Sequence, residues 1–201
     1  MPKVTGILDS KANFSLFSVY VDDKYLADLS VFSIDKFGLK IGSEIDDRLS
    51  SQLKDSSSVD IFYMRSLKLI SIRKRSKKEI SDFLTKNQLS RDLIEEVISR
   101  LIDKNYLNDE EFAKSFINDR MLLNPVSYRK LVYLLKTKGI SEEVVSKIVS
   151  KEEVNQQSLA KIVAKKRKIS RFNDDKKLTN YLLSQGFSYS DIKQFLENEN
   201  L

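Results

Sequence analysis

Histidine and cysteine are absent from this 201-residue chain, and glycine occurs only five times. Each shortage excludes something. Without cysteine there is neither a disulfide framework nor a thiolate metal site, and nothing argues for an oxidising compartment, so the cytoplasm is the expected location. Histidine is the usual general base and the commonest metal ligand, so its absence removes the central residue of most hydrolytic mechanisms. Carboxylates, Lys, Ser and Tyr remain, and no motif presents them as a catalytic set, so the chain is expected not to be an enzyme. Five glycines cannot furnish a glycine-rich phosphate cradle beside either basic run, which argues against nucleotide binding. Long apolar runs are missing as well. The first thirty residues carry acids and alternating polar residues where a secretory signal needs a continuous apolar stretch, and no later segment reaches membrane-spanning length. A soluble protein without membrane partner, metal or cofactor is expected.

What is present is charge and helical periodicity. Thirty-five Lys and Arg against 29 Asp and Glu give a formal charge of +6 and a pI near 9.3, a balance suited to a polyanionic partner. Val4 to Leu8, Phe14 to Val21 and Tyr25 to Leu29 are short apolar or alternating runs, and Asp22-Asp23 falls where a tight hairpin turn belongs. They predict a small antiparallel sheet. Gly38 and Gly42 supply turn-permissive backbone around Leu39 to Ile41, and Ile45 to Leu53 reads as a short helix. A Ser-rich polar stretch, Lys54 to Ser58, then separates this β-containing region, residues 1–58, from a helical remainder.

Beyond Val59 the apolar residues fall at three- and four-residue spacings and form three superposable copies. From Ser76 they are Ile80, Phe83, Leu84, Leu89, Ile94 and Ile98; from Ser127 they are Leu131, Leu134, Leu135, Ile140, Val145 and Val149. The same offsets from Asp174 give Leu178, Tyr181, Leu182, Phe187, Ile192 and Leu196. A serine follows the middle position each time (Ser90, Ser141, Ser188), and Gly139 and Gly186 precede that position in the last two copies. The order is helix, glycine-type stop, apolar plug, serine start, helix. A longer helix precedes each pair, over Val59 to Lys74, Asp109 to Leu123 and Gln156 to Ile169. The expected fold is therefore mainly α: three tandem three-helix repeats, at 59–107, 108–154 and 155–201, behind the N-terminal sheet. One such unit cannot bury its whole apolar face, so stacking into an elongated, curved array with a long contact surface is expected. Such a surface favours an extended polymer over a small molecule.

The densest carboxylate cluster, Asn108-Asp109-Glu110-Glu111, reads as an N-cap with a capping-box Glu111 and acids in a helix's first turn. Ser76 with Glu79 is a second capping box, and Ser141 caps a helix whose first turn is Glu142-Glu143. These positions are structural. Two basic clusters are the candidate partner or DNA contacts: Arg73, Lys74, Arg75, Lys77 and Lys78 at a helix junction, and Lys161, Lys165, Lys166, Arg167, Lys168 and Arg171 with no acid interspersed. Each is also what an ordinary solvated helix face looks like, although an unbroken like-charged run costs self-repulsion that a polyanion relieves. Phe112, Phe116, Tyr128, Tyr133, Tyr181 and Phe195 lie at helical spacing and are read mostly as core, whereas Tyr63, Tyr106 and Tyr189 sit near helix ends and are read as partly exposed.

Taken as ordered blocks, Arg73-Lys74-Arg75-Ser76 with Glu79-Ile80 and Leu84, then Tyr106-Leu107-Asn108-Asp109 with Phe112-Ala113, resemble the signature of the RecX family. Lys138-Gly139-Ile140 is similar to that family's second-repeat turn, and Lys177-Leu178, Tyr181-Leu182 and Gly186-Phe187 to its third. Tyr20 to Asp23 and Phe37 to Gly42 resemble the β-containing leader of some members. The chain departs from the pattern at Ser127 and Leu134, where the family commonly has glycine and glutamate. The resemblance implies a regulator that lodges along the groove of the RecA filament, on the single- or double-stranded DNA within it, and suppresses ATP hydrolysis, strand exchange and coprotease activity. A monomer is expected. The alternative is a sequence-nonspecific DNA-binding protein acting without RecA, its basic clusters contacting phosphates.

Overall fold

Two aspartates make the tight turn between the second and third strands. Asp22 and Asp23 hold φ of 47° and 63°, the left-handed pair of a two-residue hairpin turn whose twist matches that of the strands it joins. A computed structural model of the protein describes residues 1–12 and 15–199. It divides into two compact units, Met1–Leu107 and Asn108–Leu201.

In the first unit, strands β1 (Val4–Asp9), β2 (Phe17–Val21) and β3 (Lys24–Leu29) form an antiparallel meander in the order β1-β2-β3. Phe14, where the second strand was expected to begin, lies outside the described residues. Ile7 pairs with Val19, and Val19 with Ala27. Val4, Val19, Ala27 and Leu29 are buried with Leu39, Ile45 and Leu53 in one core. A short helix, α1 (Val31–Lys36), follows the sheet.

Helix α2 runs from Asp47 to Ile72 without interruption, which corrects the expectation of a short helix, a serine-rich break and a second helix. The serines stay helical because they find partners. Ser58 Oγ donates to the Lys54 carbonyl, one turn back, at 3.2 Å. Ser57 Oγ accepts from the Asp28 amide on β3 at 3.2 Å, and Asp60 Oδ2 accepts from the Ser30 amide at 2.7 Å. One side of α2 thus satisfies backbone donors of the edge strand β3 and covers it. The rest of α2 packs with α3 (Lys77–Lys86) and α4 (Arg91–Asp103) around Val59, Ile80, Leu84, Val97 and Leu101.

The second unit contains α5 (Asp109–Leu123), α6 (Tyr128–Thr137), α7 (Glu142–Ile148), α8 (Lys151–Lys166), a 3-10 turn at Ser170–Asn173, α9 (Asp175–Ser184) and α10 (Tyr189–Glu199). Helix α8 begins five residues before the expected Gln156, because Ser150 caps it by accepting from the Glu153 amide at 3.1 Å. Two cores fill the unit, one around Phe112, Leu131, Leu135 and Val145, the other around Leu159, Leu178, Leu182 and Ile192.

The three copies repeat in burial as well as in sequence. Positions four, eight and eighteen after Ser76, Ser127 and Asp174 are buried each time: Ile80, Leu84 and Ile94; Leu131, Leu135 and Val145; Leu178, Leu182 and Ile192. The stop is the same device throughout. The plug residue's amide returns to the carbonyl of the eighth position, Leu89 to Leu84 at 3.4 Å, Ile140 to Leu135 at 3.0 Å and Phe187 to Leu182 at 3.3 Å. The residue before each plug is left-handed: Gln88 at 62°, Gly139 at 83° and Gly186 at 89°. Glycine suits that conformation in the last two copies. Gln88 adopts it at some strain in the first.

Candidate partner-binding surfaces

The cap residues are the simplest to place. Ser76 Oγ accepts from the Glu79 amide at 3.1 Å, and Asn108 Oδ1 accepts from the amides of Glu110 and Glu111 at 3.0 and 3.1 Å. Ser141 stands at the start of α7, yet its hydroxyl makes no cap bond to that helix. It bonds instead to the Glu143 carboxylate, a contact that holds that acid below the usual carboxylate range. The Asp109–Glu111 acids are read in the same structural way: Lys114 pairs with Glu110 at 2.8 Å and Glu111 at 3.3 Å.

The first basic cluster surrounds the corner between α2 and α3. Arg73 grips Glu79 through two hydrogen bonds of 3.0 Å each, and Arg75 Nε donates to the Leu69 carbonyl at 3.4 Å. Lys78 pairs with Asp82 at 2.8 Å. Arg73 and Arg75 hold the corner and the Lys78 pair lies within α3, while Lys74 and Lys77 are exposed beside them.

The second cluster divides more sharply. Arg167 reaches across the chain reversal after α8, donating to the carbonyls of Phe172 and Asn173 at 3.1 and 3.3 Å and to Asp175 Oδ1 at 2.6 Å. Lys166 Nζ lies over the rings of Tyr181 at 4.3 Å and Phe172 at 5.1 Å, and Arg171 over Phe172 at 5.9 Å. Such contacts combine ring-quadrupole attraction with packing of the aliphatic stem. Lys161 donates to the Met121 carbonyl in the last turn of α5 at 2.8 Å. Lys165 and Lys168 are exposed and have no partner among the described residues. The basic run therefore has two uses: Lys161, Lys166 and Arg167 fasten the second unit, and Lys165 and Lys168 face solvent.

Two cations outside that run join it. Arg120, from the end of α5, and Lys130, from the first turn of α6, line a groove of about 410 Å³ together with Lys161, Lys165 and Lys166. Sequence reading missed both, because neither belongs to one of the two basic clusters and only the fold gathers them beside the second. Leu134 lies in the same groove.

Among the aromatics, Phe112 is buried, and Phe116, Tyr128, Tyr181 and Phe195 are partly so. Tyr133, expected in the core, is instead 66% exposed. It lies between the core residues Val132 and Leu135 on a helix whose buried stripe leaves it outside. Tyr106 and Tyr189 are exposed and Tyr63 is half-buried. Tyr63 belongs to the polar centre of the first unit, which sequence reading also missed. Asp60, fully buried, accepts from Arg100 Nη1 at 2.8 Å, and the Arg100 guanidinium sits 4.8 Å from the Tyr63 ring centre and 5.3 Å from that of Phe32. Burial pushes the Tyr63 hydroxyl above its ordinary pKa. An acid on an otherwise packed helix face was the only available signal.

No group of His, Cys, Asp and Glu among the described residues is arranged to hold a metal ion, and no described helix is long and apolar enough to cross a membrane.

Capped, repeated helical hairpins behind a small sheet, with cations gathered on their outer faces, define a helical-repeat protein. Comparison with known proteins shows what the chain is similar to. Residues 108–147 match the model of the second three-helix domain of RecX. The chain is 37% identical over 140 residues to the regulatory protein RecX of Bacillus subtilis and 34% identical over 140 residues to that of Bacillus velezensis, in each case covering 70% of this chain and 53% of the relative. A crystal structure of a regulatory protein RecX superposes with a TM-score of 0.76 at 19% identity, covering 98% of this chain and all of the other. RecX from Lactobacillus salivarius superposes with a TM-score of 0.57 at 24% identity, over 70% of this chain and 96% of that one. Over the matched segment the sequence is similar to RecX proteins, and the fold is that of a RecX structure. The chain spans about half the length of the curated relatives it matches.

Proposed function

We propose that the protein regulates the RecA recombinase by binding the RecA filament on DNA and suppressing its ATP hydrolysis, strand exchange and coprotease activity. The observation that carries this reading is the sequence relation to proteins named regulatory protein RecX across 70% of the chain. The surface supports it in kind. The exposed Lys165 and Lys168, with the other cations of the groove, provide positive charge suited to a polyanionic filament. The protein acts as a binding partner and cleaves neither nucleotide nor DNA by itself.

The second reading, a DNA-binding protein independent of RecA, draws on the same solvent-facing lysines. Filaments assembled beforehand separate the two. A filament-directed regulator lowers the ATPase of preformed RecA filaments on single-stranded DNA, whereas a DNA coater acts on free DNA and is relieved by excess DNA. End-blocking works well below one protein per RecA subunit, and obstruction of the filament groove requires occupancy along its length. If RecA keeps its full ATPase and strand-exchange rates at saturating protein, the RecA reading fails.

A further inference from the structure

The groove in the second unit combines two properties that the fold does not require together. Its five cations, Arg120, Lys130, Lys161, Lys165 and Lys166, are accompanied by no carboxylate. Like charges gathered around a concave surface repel one another and raise its affinity for an anion. Beside them, Leu122 and Leu123 are 67% and 78% exposed. These consecutive leucines end α5 and line the same groove, followed by Pro125 and the half-buried Leu134. Helix α5 keeps its own core packing through Phe112, Ala113 and Ile117, so the leucine pair is not needed to seat the helix.

We infer that this groove docks an acidic segment of a partner protein whose carboxylates meet Lys130 and Lys165, in the positive field that Arg120, Lys161 and Lys166 add from their places against Phe116, Met121 and Tyr181, and whose apolar side chains cover Leu122 and Leu123. Charge complementarity sets the sign of the occupant, and the leucines select its class. A duplex satisfies the cations but brings only phosphate and sugar to the leucines, and the bases of a single strand stack on aromatic faces, of which the groove lining offers Tyr181 already covered by Lys166. An acidic peptide with interspersed leucines satisfies both, as peptides do when they lay apolar anchors into a groove. The inference rests on the groove alone and not on the proposed action on RecA.

The test is fluorescence anisotropy with the full chain and no recombinase present, so that its outcome is separate from that of the regulatory reading. The probes are a short labelled glutamate-rich peptide carrying leucines, the same peptide with its leucines replaced by serine, and an oligo-dT strand. The leucine-bearing peptide is expected to bind. Replacing its leucines, or making the double variant Leu122→Ser/Leu123→Ser, is expected to weaken binding roughly tenfold, the order that burying such side chains supports. Lys130→Glu is expected to remove most of the affinity. That substitution puts an acid in the first turn of α6, where the helix dipole favours it, and an unchanged melting curve shows that the loss is local. The inference is overturned if the leucine-bearing peptide does not bind at low salt, or if the serine peptide binds equally well. It is also overturned if oligo-dT displaces the peptide and loses its own binding in Lys130→Glu, because the groove is then a nucleic-acid site.

Discussion

Arg100 in the first unit and Lys165 in the second are both cations on helices, and they differ in what faces them. Arg100 meets the fully buried Asp60, which also takes the Ser30 amide, so a single carboxylate ties the segment after β3 to α2 and α4. Lys165 meets solvent and other cations. The first unit turns this one pair inward and binds its sheet and helices together with it. The second joins its two helical hairpins with neutral or half-exposed hydrogen bonds, through Ser127 to the Gln185 carbonyl at 2.9 Å and through Asn155, which accepts from the Tyr128 amide and donates to Asp191. Several of its cations pair with acids at the surface, Lys136 with Glu142 and Arg167 with Asp175 among them, while Lys165 and Lys168 have no partner among the described residues. Charge that holds a fold is recognised by a buried opposite partner, and charge available for binding by the lack of one.

The largest effect is expected from breaking the inward pair. Asp60→Ala strands the Arg100 guanidinium and the Ser30 amide, and removal of one partner from a buried ion pair costs about 3–5 kcal/mol. Denaturant melts of the first unit measure it, and a loss within experimental error removes Asp60 from its place as the staple. Next comes Gly186→Ala. The backbone there is left-handed, and an added Cβ comes within 2.9 Å of Ser127 Oγ, so a loss of about 1–3 kcal/mol is expected. In a Ser127→Gly background the steric part should disappear while the backbone part remains, and a double-mutant cycle reads the difference.

Asn108→Ala removes the acceptor of two amides at the start of α5 and should cost about 1 kcal/mol. The smallest effect concerns pH. Backbone hydrogen bonding from the Lys177 amide holds Asp174 below its ordinary pKa, so the folded state favours its ionised form. The stability it contributes is complete above the ordinary carboxylate range and is lost as pH falls through that range towards the lowered value. Asp174→Asn keeps the cap acceptor and removes the charge. Melting curves of the variant should therefore show a slightly flatter acid limb than those of the parent.

Much of the helical part was legible because it depends on local chemistry repeated three times. Ile80, Leu131 and Leu178 occupy equivalent buried positions, and the left-handed stops at Gly139 and Gly186 were marked by glycine itself. What was not legible depends on interactions between distant segments. The serines at 56–58 read as a break because composition does not announce their partners: Lys54 offers its carbonyl one turn back only once the helix runs through, and the Asp28 amide lies on a strand that was expected but whose docking against this segment was not. Ser141 had the right residue type for a cap, but the nearby Glu143 carboxylate takes its hydroxyl. Within the basic run from Lys161 to Arg171, spacing could not separate Arg167, which closes a chain reversal, from Lys165, which faces solvent. Arg120 and Lys130 were invisible as site residues, since the fold alone brings them beside that run.

The most direct measurement compares the parent protein with Lys165→Glu/Lys168→Glu for inhibition of preformed RecA filaments on single-stranded DNA, read as ATPase rate across salt concentrations. Both positions are exposed and unpartnered among the described residues, so melting should move by no more than about 0.5 kcal/mol. The parent is predicted to lower the ATPase, and the variant to require more protein and to show a shallower salt dependence, by roughly one unit of slope for each phosphate that it no longer neutralises. Full ATPase at saturating parent protein, or equal inhibition and equal salt dependence by the two proteins, would contradict the account.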